Sequence, residues 1–166
     1  MNSQIQVRRA RETDVGAITR IYNQGIEDRI ATLEADPKRE DDVRAALSER
    51  SERYAVLVAQ AADEVVGWAS LNPYHAHRRA YDAVADLSVY VERSIRGTGV
   101  GTKLLEELER LAREHGFHKL VLFTLPFNAG GQRLYRARGF REVGVFREQG
   151  TLDGRFIDVM AMEKIL

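Results

Sequence analysis

The chain has 166 residues, 44% hydrophobic and 30% charged, values that fit one globular domain with a full core of its own. Its 25 Lys and Arg balance 25 Asp and Glu, and a formal net charge of zero argues against a dedicated nucleic-acid binder. With no cysteine, it has no disulfide, thiolate metal site or cysteine nucleophile. No run approaches the roughly 18 apolar residues of a membrane helix, and the start MNSQIQVRRA lacks the apolar centre of a signal peptide. A cytoplasmic protein without membrane contact is the expectation.

Ile5 to Arg9 is short and apolar enough for a strand. A helix follows, with Thr13 at its N-cap and Val15, Ile18, Ile21 and Tyr22 at helical spacing. It frays into a loop near Arg29 to Asp36. Asp36-Pro37 then reads as the start of a second helix whose buried stripe is Val43, Ala46 and Leu47. From Tyr54 the period changes to that of strands. YAVLVAQ, VVGWASLNPY and AVADLSVYV (Ala83 to Val91) read as three consecutive antiparallel strands. RSIRGTGVG interrupts them, and Leu104, Leu105, Leu108, Leu111 and Ala112 mark an amphipathic helix closed by Gly116. HKLVLFTLPF is a buried strand, and Ala129 to Arg138 a short helix ending at Gly139. Strands near Glu142 to Phe146 and Phe156 to Lys164 flank a turn at Asp153-Gly154. The order is β-α-α-β-β-β-α-β-α-β-β, one mixed α/β domain over residues 1–166.

The segment richest in chemical information joins the third of these antiparallel strands to the long helix through Arg96-Gly97-Thr98-Gly99-Val100-Gly101. Glycines let backbone N–H groups approach a ligand, and the helix N-terminus adds unpaired donors and a positive dipole end. Together they suit a pyrophosphate. A dinucleotide fingerprint fails, because the glycine after Gly99 comes one residue early, at Gly101. A Walker A loop fails because Gly101-Thr102-Lys103 has the wrong order. There remain a glycine-rich connection without a ligand and the pattern Arg-x-x-Gly-x-Gly at a strand-to-helix junction.

That pattern resembles the acyl-CoA pyrophosphate loop of the GNAT N-acetyltransferases. Asn128, followed seven residues later by Tyr135 within NAGGQRLYRARGF, is similar to that superfamily's pantetheine-contacting Asn and its Tyr beside the CoA sulfur. A narrower resemblance lies in IYNQGIEDRIATLEADP, RRAYDAVADLSVYV and DGRFIDV. These look like the phosphinothricin, methionine sulfoximine and arsinothricin acetyltransferases. The chain departs from that group at Asp86, where Glu is usual, and at Leu33, where Phe is common.

The resemblance implies a GNAT-like fold, with acetyl-CoA as co-substrate. It also implies a small-molecule amine as acceptor and a homodimer. The bound cofactor would meet Val89, Tyr90 and Val91 along their strand, then Arg96 to Thr102 (Arg96, Gly97, Thr98, Gly99, Val100, Gly101, Thr102), then Asn128 and Tyr135. Leu33 and Glu34 would border the acceptor pocket, with Arg155 to Asp158 closing it. Arg78 would clamp an anion, Tyr81 form a wall, and Leu87 and Ser88 lie beside Asp86.

Acetyl transfer from a thioester needs a base for the amine, donors for the oxyanion and an acid for the thiolate. Asp86 is the candidate base, acting through a water because its side chain is short; a partner for a nearby Arg is the competing role. Tyr135, protonated at neutral pH, is the candidate acid, with plain packing on the sheet as its alternative. Strict alternation puts Asp86, Ser88 and Tyr90 on one face, although a β-bulge, which the family implies, would break that parity. His75 and His77 have no evident third ligand and do not make a metal site.

Overall fold

The computed structural model describes residues 4–166. In chain order the elements are β1 (Ile5–Arg9), α1 (Val15–Glu27), α2 (Glu40–Ser48), β2 (Val56–Ala61), β3 (Glu64–Pro73), β4 (Val84–Val91), α3 (Val100–Glu114), β5 (Lys119–Thr124), α4 (Ala129–Ala137), β6 (Arg141–Leu152) and β7 (Arg155–Ile165). Short 3-10 turns precede α1, β4 and α3. The seven strands form one sheet in the order β1-β2-β3-β4-β5-β7-β6. β1 to β4 run as an antiparallel meander. β5 pairs parallel to β4, a connection that needs a crossover, which α3 supplies. β7 and β6 complete the sheet antiparallel. The element order is the one expected from the sequence.

Each face of the sheet has its own core. The predicted stripe of α3 is buried against Leu57, Ala69, Leu71, Ala85, Leu87, Leu120 and Leu122. A β-carbon at Gly67 would lie 3.0 Å from Leu104 and 3.1 Å from Val100, so the missing side chain sets how closely α3 seats on β3. On the other face Ile18 and Ile21 of α1 pack on Val58, Val65 and Trp68. There Trp68 stacks on Tyr90 at 4.9 Å between centroids, and Tyr22 meets both rings.

One carboxylate lies deep in the structure. Glu109 of α3 is 1% exposed and accepts from Arg138 at 3.1 Å and Lys164 at 2.8 Å, tying α3 to the end of α4 and to β7. Removing one member of a buried ion cluster leaves the others uncompensated. Glu109→Ala is expected to cost about 3 kcal/mol of stability, read from urea unfolding. A loss below about 1 kcal/mol would mean that Arg138 and Lys164 find water instead.

Four expectations need correction. The cap of α1 is Asp14, not Thr13, because Asp14 ends a 3-10 turn. Its carboxylate there accepts from Arg11 N and from Arg8. The helix α2 begins at Glu40 rather than at Pro37. Asn23 takes both main-chain groups of Lys38, donating to its carbonyl and accepting from its N–H, which holds that stretch as loop. Ala46 is exposed and Val43 and Leu47 only half-buried, since α2 packs on α1 and the first 3-10 turn rather than on the sheet. Finally, β6 and β7 are longer than expected. The polar stretch after Phe146 is an irregularity within β6, where Glu148 has φ +51° and its N–H donates to Asp158, and pairing resumes at Gly150.

Candidate active site

The parallel pairing of β4 with β5 covers only Val84–Asp86 against Lys119–Val121. Beyond Asp86 the strands diverge, and the main chain of Leu87 to Val91 has no strand partner on that side among the described residues. The mouth of this gap is a cradle. Gly97 and Gly99 have φ of +78° and +93°, the left-handed region that favours glycine, and a β-carbon at either would meet nothing within 4 Å. Gly99 caps α3, so the first N–H groups of that helix face the same space. A cavity of about 710 Å³ runs from this cradle along Val89, Tyr90 and Val91 to Tyr135. The donor set and the open space fit a pyrophosphate followed by an extended arm.

Most of the expected cofactor residues line this cavity, namely Val89, Tyr90, Val91, Arg96, Gly97, Gly99, Gly101, Thr102, Asn128 and Tyr135. Two of the expected residues, Val100 and Thr98, do not line it with their side chains. Val100 is 1% exposed and belongs to the core, so only its main chain faces the cradle. Thr98 turns its hydroxyl to the carbonyl of Ile95 at 2.6 Å. Asn128 caps α4, accepting from Gly131 N at 3.1 Å and donating to Thr124 at 3.0 Å. Arg96 is held by Asp28 of the turn after α1 at 2.5 Å and by the carbonyl of Val91.

Sequence reasoning missed Gly25, Ile30, Ala31, Gly130, Gly131 and Arg133, all of which line the cavity. A glycine inside a helix was a usable signal at Gly25, where a β-carbon would come within 2.8 Å of the Tyr90 ring. The Gly-Gly pair in the first turn of α4 was another. Nothing in the sequence marked Arg133.

The registers of β3 and β4 run without a shift, so the expected β-bulge is not seen in that pairing and the parity of β4 holds. Asp86, Ser88 and Tyr90 face the α1 side. Leu87 is 4% exposed and packs in the α3 core, which corrects its expected place beside the acceptor. Burial pushes the Asp86 carboxyl up to about 6, against which a bond from the Leu87 N–H acts. Burial, and then the nearby Asp86 charge, raise the Tyr135 hydroxyl above the usual tyrosine range. The two candidate catalytic groups therefore sense one another across the gap.

The other expected acceptor residues do not line the cavity. Arg78 and Tyr81 lie in the connection between β3 and β4, where Tyr81 packs on Tyr74 and His75. Among the described residues the Arg78 guanidinium has no hydrogen-bond or ion-pair partner. Leu33 packs against Gly150 of β6, and Glu34 pairs with Lys38 at 2.7 Å. Arg29 pairs with Asp153 at 3.1 Å, so the loop after α1 is tied to the β6–β7 hairpin. No group of three or more His, Asp or Glu among the described residues is placed to hold a metal ion, and no helix is long and apolar enough to cross a membrane.

Comparison with known proteins bears on this geometry. The family described as "Acetyltransferase (GNAT) family" matches residues 18–140. The chain belongs to the GNAT acetyltransferases. The match covers the cradle, the gap and Tyr135. Among relatives of this GNAT enzyme is the L-methionine sulfoximine/L-methionine sulfone acetyltransferase of Pseudomonas aeruginosa, 31% identical over 95% of this chain and 92% of that protein. A phosphinothricin acetyltransferase from Sinorhizobium meliloti, solved with acetyl-CoA, superposes with a TM-score of 0.91 at 28% identity, covering 100% of this chain and 89% of that one. A ribosomal-protein-alanine N-acetyltransferase from Brucella melitensis superposes with a TM-score of 0.92 at 34% identity, covering 97% and 99%. The GNAT fold and an N-acetyltransferase activity follow.

Proposed function

We propose that residues 1–166 form one acetyl-CoA-dependent N-acetyltransferase domain. It acetylates the α-amine of a small anionic amino acid of the phosphinothricin, methionine sulfoximine or arsinothricin type. The observation that carries this reading is the cavity running from the glycine cradle along the unpaired edge of β4 to Tyr135, beside Asp86. Acetyl-CoA supplies the acetyl group as a thioester. The chain's own residues do the rest. The cradle amides and Arg96 hold the diphosphate, and the β4 main chain aligns the pantetheine arm as an added strand would lie. Main-chain N–H groups near Ser88 and Val89 polarise the thioester carbonyl. Asp86 accepts the amine proton, through a water, as the nitrogen attacks the carbonyl carbon. As the C–N bond forms and the C–S bond breaks, Tyr135 gives its proton to the sulfur. Transfer is direct, since the chain has no cysteine to carry the acetyl group.

Arg78 is assigned to the acceptor's side-chain anion, for which a guanidinium offers a planar fork. Arg78→Ala is expected to raise the KM for phosphinothricin about 10-fold or more while leaving that of a neutral amine within about 2-fold. Equal effects on both would remove the clamp.

The name of the Brucella neighbour favours a second reading, in which the acceptor is a protein N-terminus. The paired Arg78 and Arg79 count against polycationic acceptors such as polyamines or aminoglycosides. A non-catalytic acyl-CoA sensor would need neither Asp86 nor Tyr135. Thiol release on adding phosphinothricin, methionine sulfoximine or an alanine-terminated peptide separates these readings, and cofactor binding without release on any amine would leave the sensor. The homodimer and cytoplasmic location implied by the family belong to the same proposal. Exposed Phe123 and Phe146, whose ring centroids lie 6.5 Å apart, supply an apolar surface for the second copy.

A further inference from the structure

We propose that Asn72 reads the α-carboxylate of the acceptor, and that Arg50 is the positioning residue that orients its amide for the purpose. This rests on the acceptor class proposed above and adds how that class is recognised.

The observation is a polar square in the middle of the sheet. Ser70 and Asn72 of β3 stand opposite Ser88 and Asp86 of β4 in unbroken register, all on the α1 side. Further along this face the side chains are apolar, with Val58, Val65 and Trp68 buried under α1. Ser70 itself is 2% exposed. Polar groups at such a depth cost free energy unless they are bonded or used.

Arg50, from the segment between α2 and β2, reaches in from the side. Its Nη1 donates to the carbonyls of Leu71 at 2.8 Å and Tyr54 at 3.2 Å, and its Nη2 to Oδ1 of Asn72 at 2.6 Å. None of these partners is a carboxylate, and no ion pair compensates this guanidinium among the described residues. Arginine has donors only, so Asn72 has to present its oxygen to Arg50. That fixes which way the amide faces. One N–H of Nδ2 reaches Ser70 Oγ at 3.2 Å, and the other has no acceptor among the described residues.

Directly opposite, Asp86 offers an acceptor where Asn72 offers a donor. Side chains paired in this way stand about 5 Å apart at their β-carbons. An α-amino acid carries its carboxylate two bonds from the amine nitrogen. With the amine lodged beside Asp86 and its bridging water, that carboxylate points across to β3 and the Asn72 N–H. A donor and an acceptor on adjacent strands thus match the two ends of the α-amino-acid group, and Arg78 is left for the side-chain anion.

The test compares phosphinothricin with (3-aminopropyl)methylphosphinate, which keeps the phosphinate and the amine and lacks only the α-carboxylate. Asn72→Leu is expected to raise the KM for phosphinothricin about 10-fold or more, while the KM or inhibition constant of the amine stays within about 2-fold. Arg50→Gln, which frees the amide to turn, gives a smaller selective loss, and Arg50→Lys restores selectivity. Should Asn72→Leu fail to fold, the isosteric Asn72→Asp serves, with a larger selective loss because it repels the carboxylate. Equal weakening of both ligands, or no weakening of either, overturns the inference while the acceptor class stands. Absence of thiol release from the unaltered enzyme with phosphinothricin or any other acidic amino acid removes the acceptor class and this inference together.

Discussion

Tyr135→Phe is expected to lower kcat by roughly 10²- to 10⁴-fold and to change acetyl-CoA affinity by no more than about 2-fold. The ring is 7% exposed and packs edge-on against Phe140 at 5.9 Å, contacts that Phe keeps. Only the hydroxyl is lost. Burial and the neighbouring Asp86 charge hold that hydroxyl above the ordinary tyrosine range, so it stays protonated throughout the working pH range and serves as a donor. Isothermal titration with acetyl-CoA and single-turnover thiol release separate binding from chemistry. An acetyl thioester of a more acidic thiol leaves without help, so the variant should recover much of its rate with that donor. A variant impaired equally with both donors would assign Tyr135 to positioning, and an unimpaired one would remove it from the chemistry.

Asp86→Asn is expected to show two opposite effects. The rate falls by roughly 10²- to 10⁴-fold, and kcat/KM loses the rise through a pH of about 6 that the unaltered enzyme shows as its carboxyl ionises. Stability moves the other way. Burial raises the folded-state carboxyl from 3.8 to about 6, so between those values the folded chain binds more protons than the unfolded one, and stability declines as pH rises. Above the folded value the penalty is complete. The variant never incurs it, so at pH 8 it should be more stable by about 1–3 kcal/mol, or roughly 2–4 °C in Tm for each kcal/mol. Below about pH 4 the advantage should vanish. Thermal melts at pH 4 and pH 8 check this, and equal stability at pH 8 would show a carboxylate already compensated in the fold.

Local pattern carried much of the fold. The run Ile5–Arg9 is β1 to the residue, and the leucine stripe of α3 is buried as its spacing implied. Where the expectation failed, a distant residue intervened. Asn23 bonds Lys38 across the α1–α2 loop and delays α2, and no window around Pro37 contains that information. Asp158 supports the left-handed Glu148 from the facing strand, which lets β6 continue through a polar stretch. The cradle end of the cavity was legible because glycines at a strand-to-helix junction leave a sequence mark. The surroundings of the residues proposed for the acceptor were less so. Leu87 shows why, since the alternation that placed Asp86 at the site necessarily turned its neighbour into the α3 core. Arg50 and Asn72 gave no sign, because their pairing depends on a loop folding onto the end of β3.

The three-residue contact between β4 and β5 has a cost that falls on the chain itself. It leaves a raw sheet edge in the interior of the molecule, a template that an extended segment of another chain could capture. A pantetheine arm lying along Leu87 to Val91 would act as a splint, shielding the opening from intruding peptide. By mass action, cofactor at 100 times its Kd adds about 2.7 kcal/mol to the folded state. The metabolic supply of acetyl-CoA would then govern the enzyme's lifetime and its resistance to clumping as well as its rate.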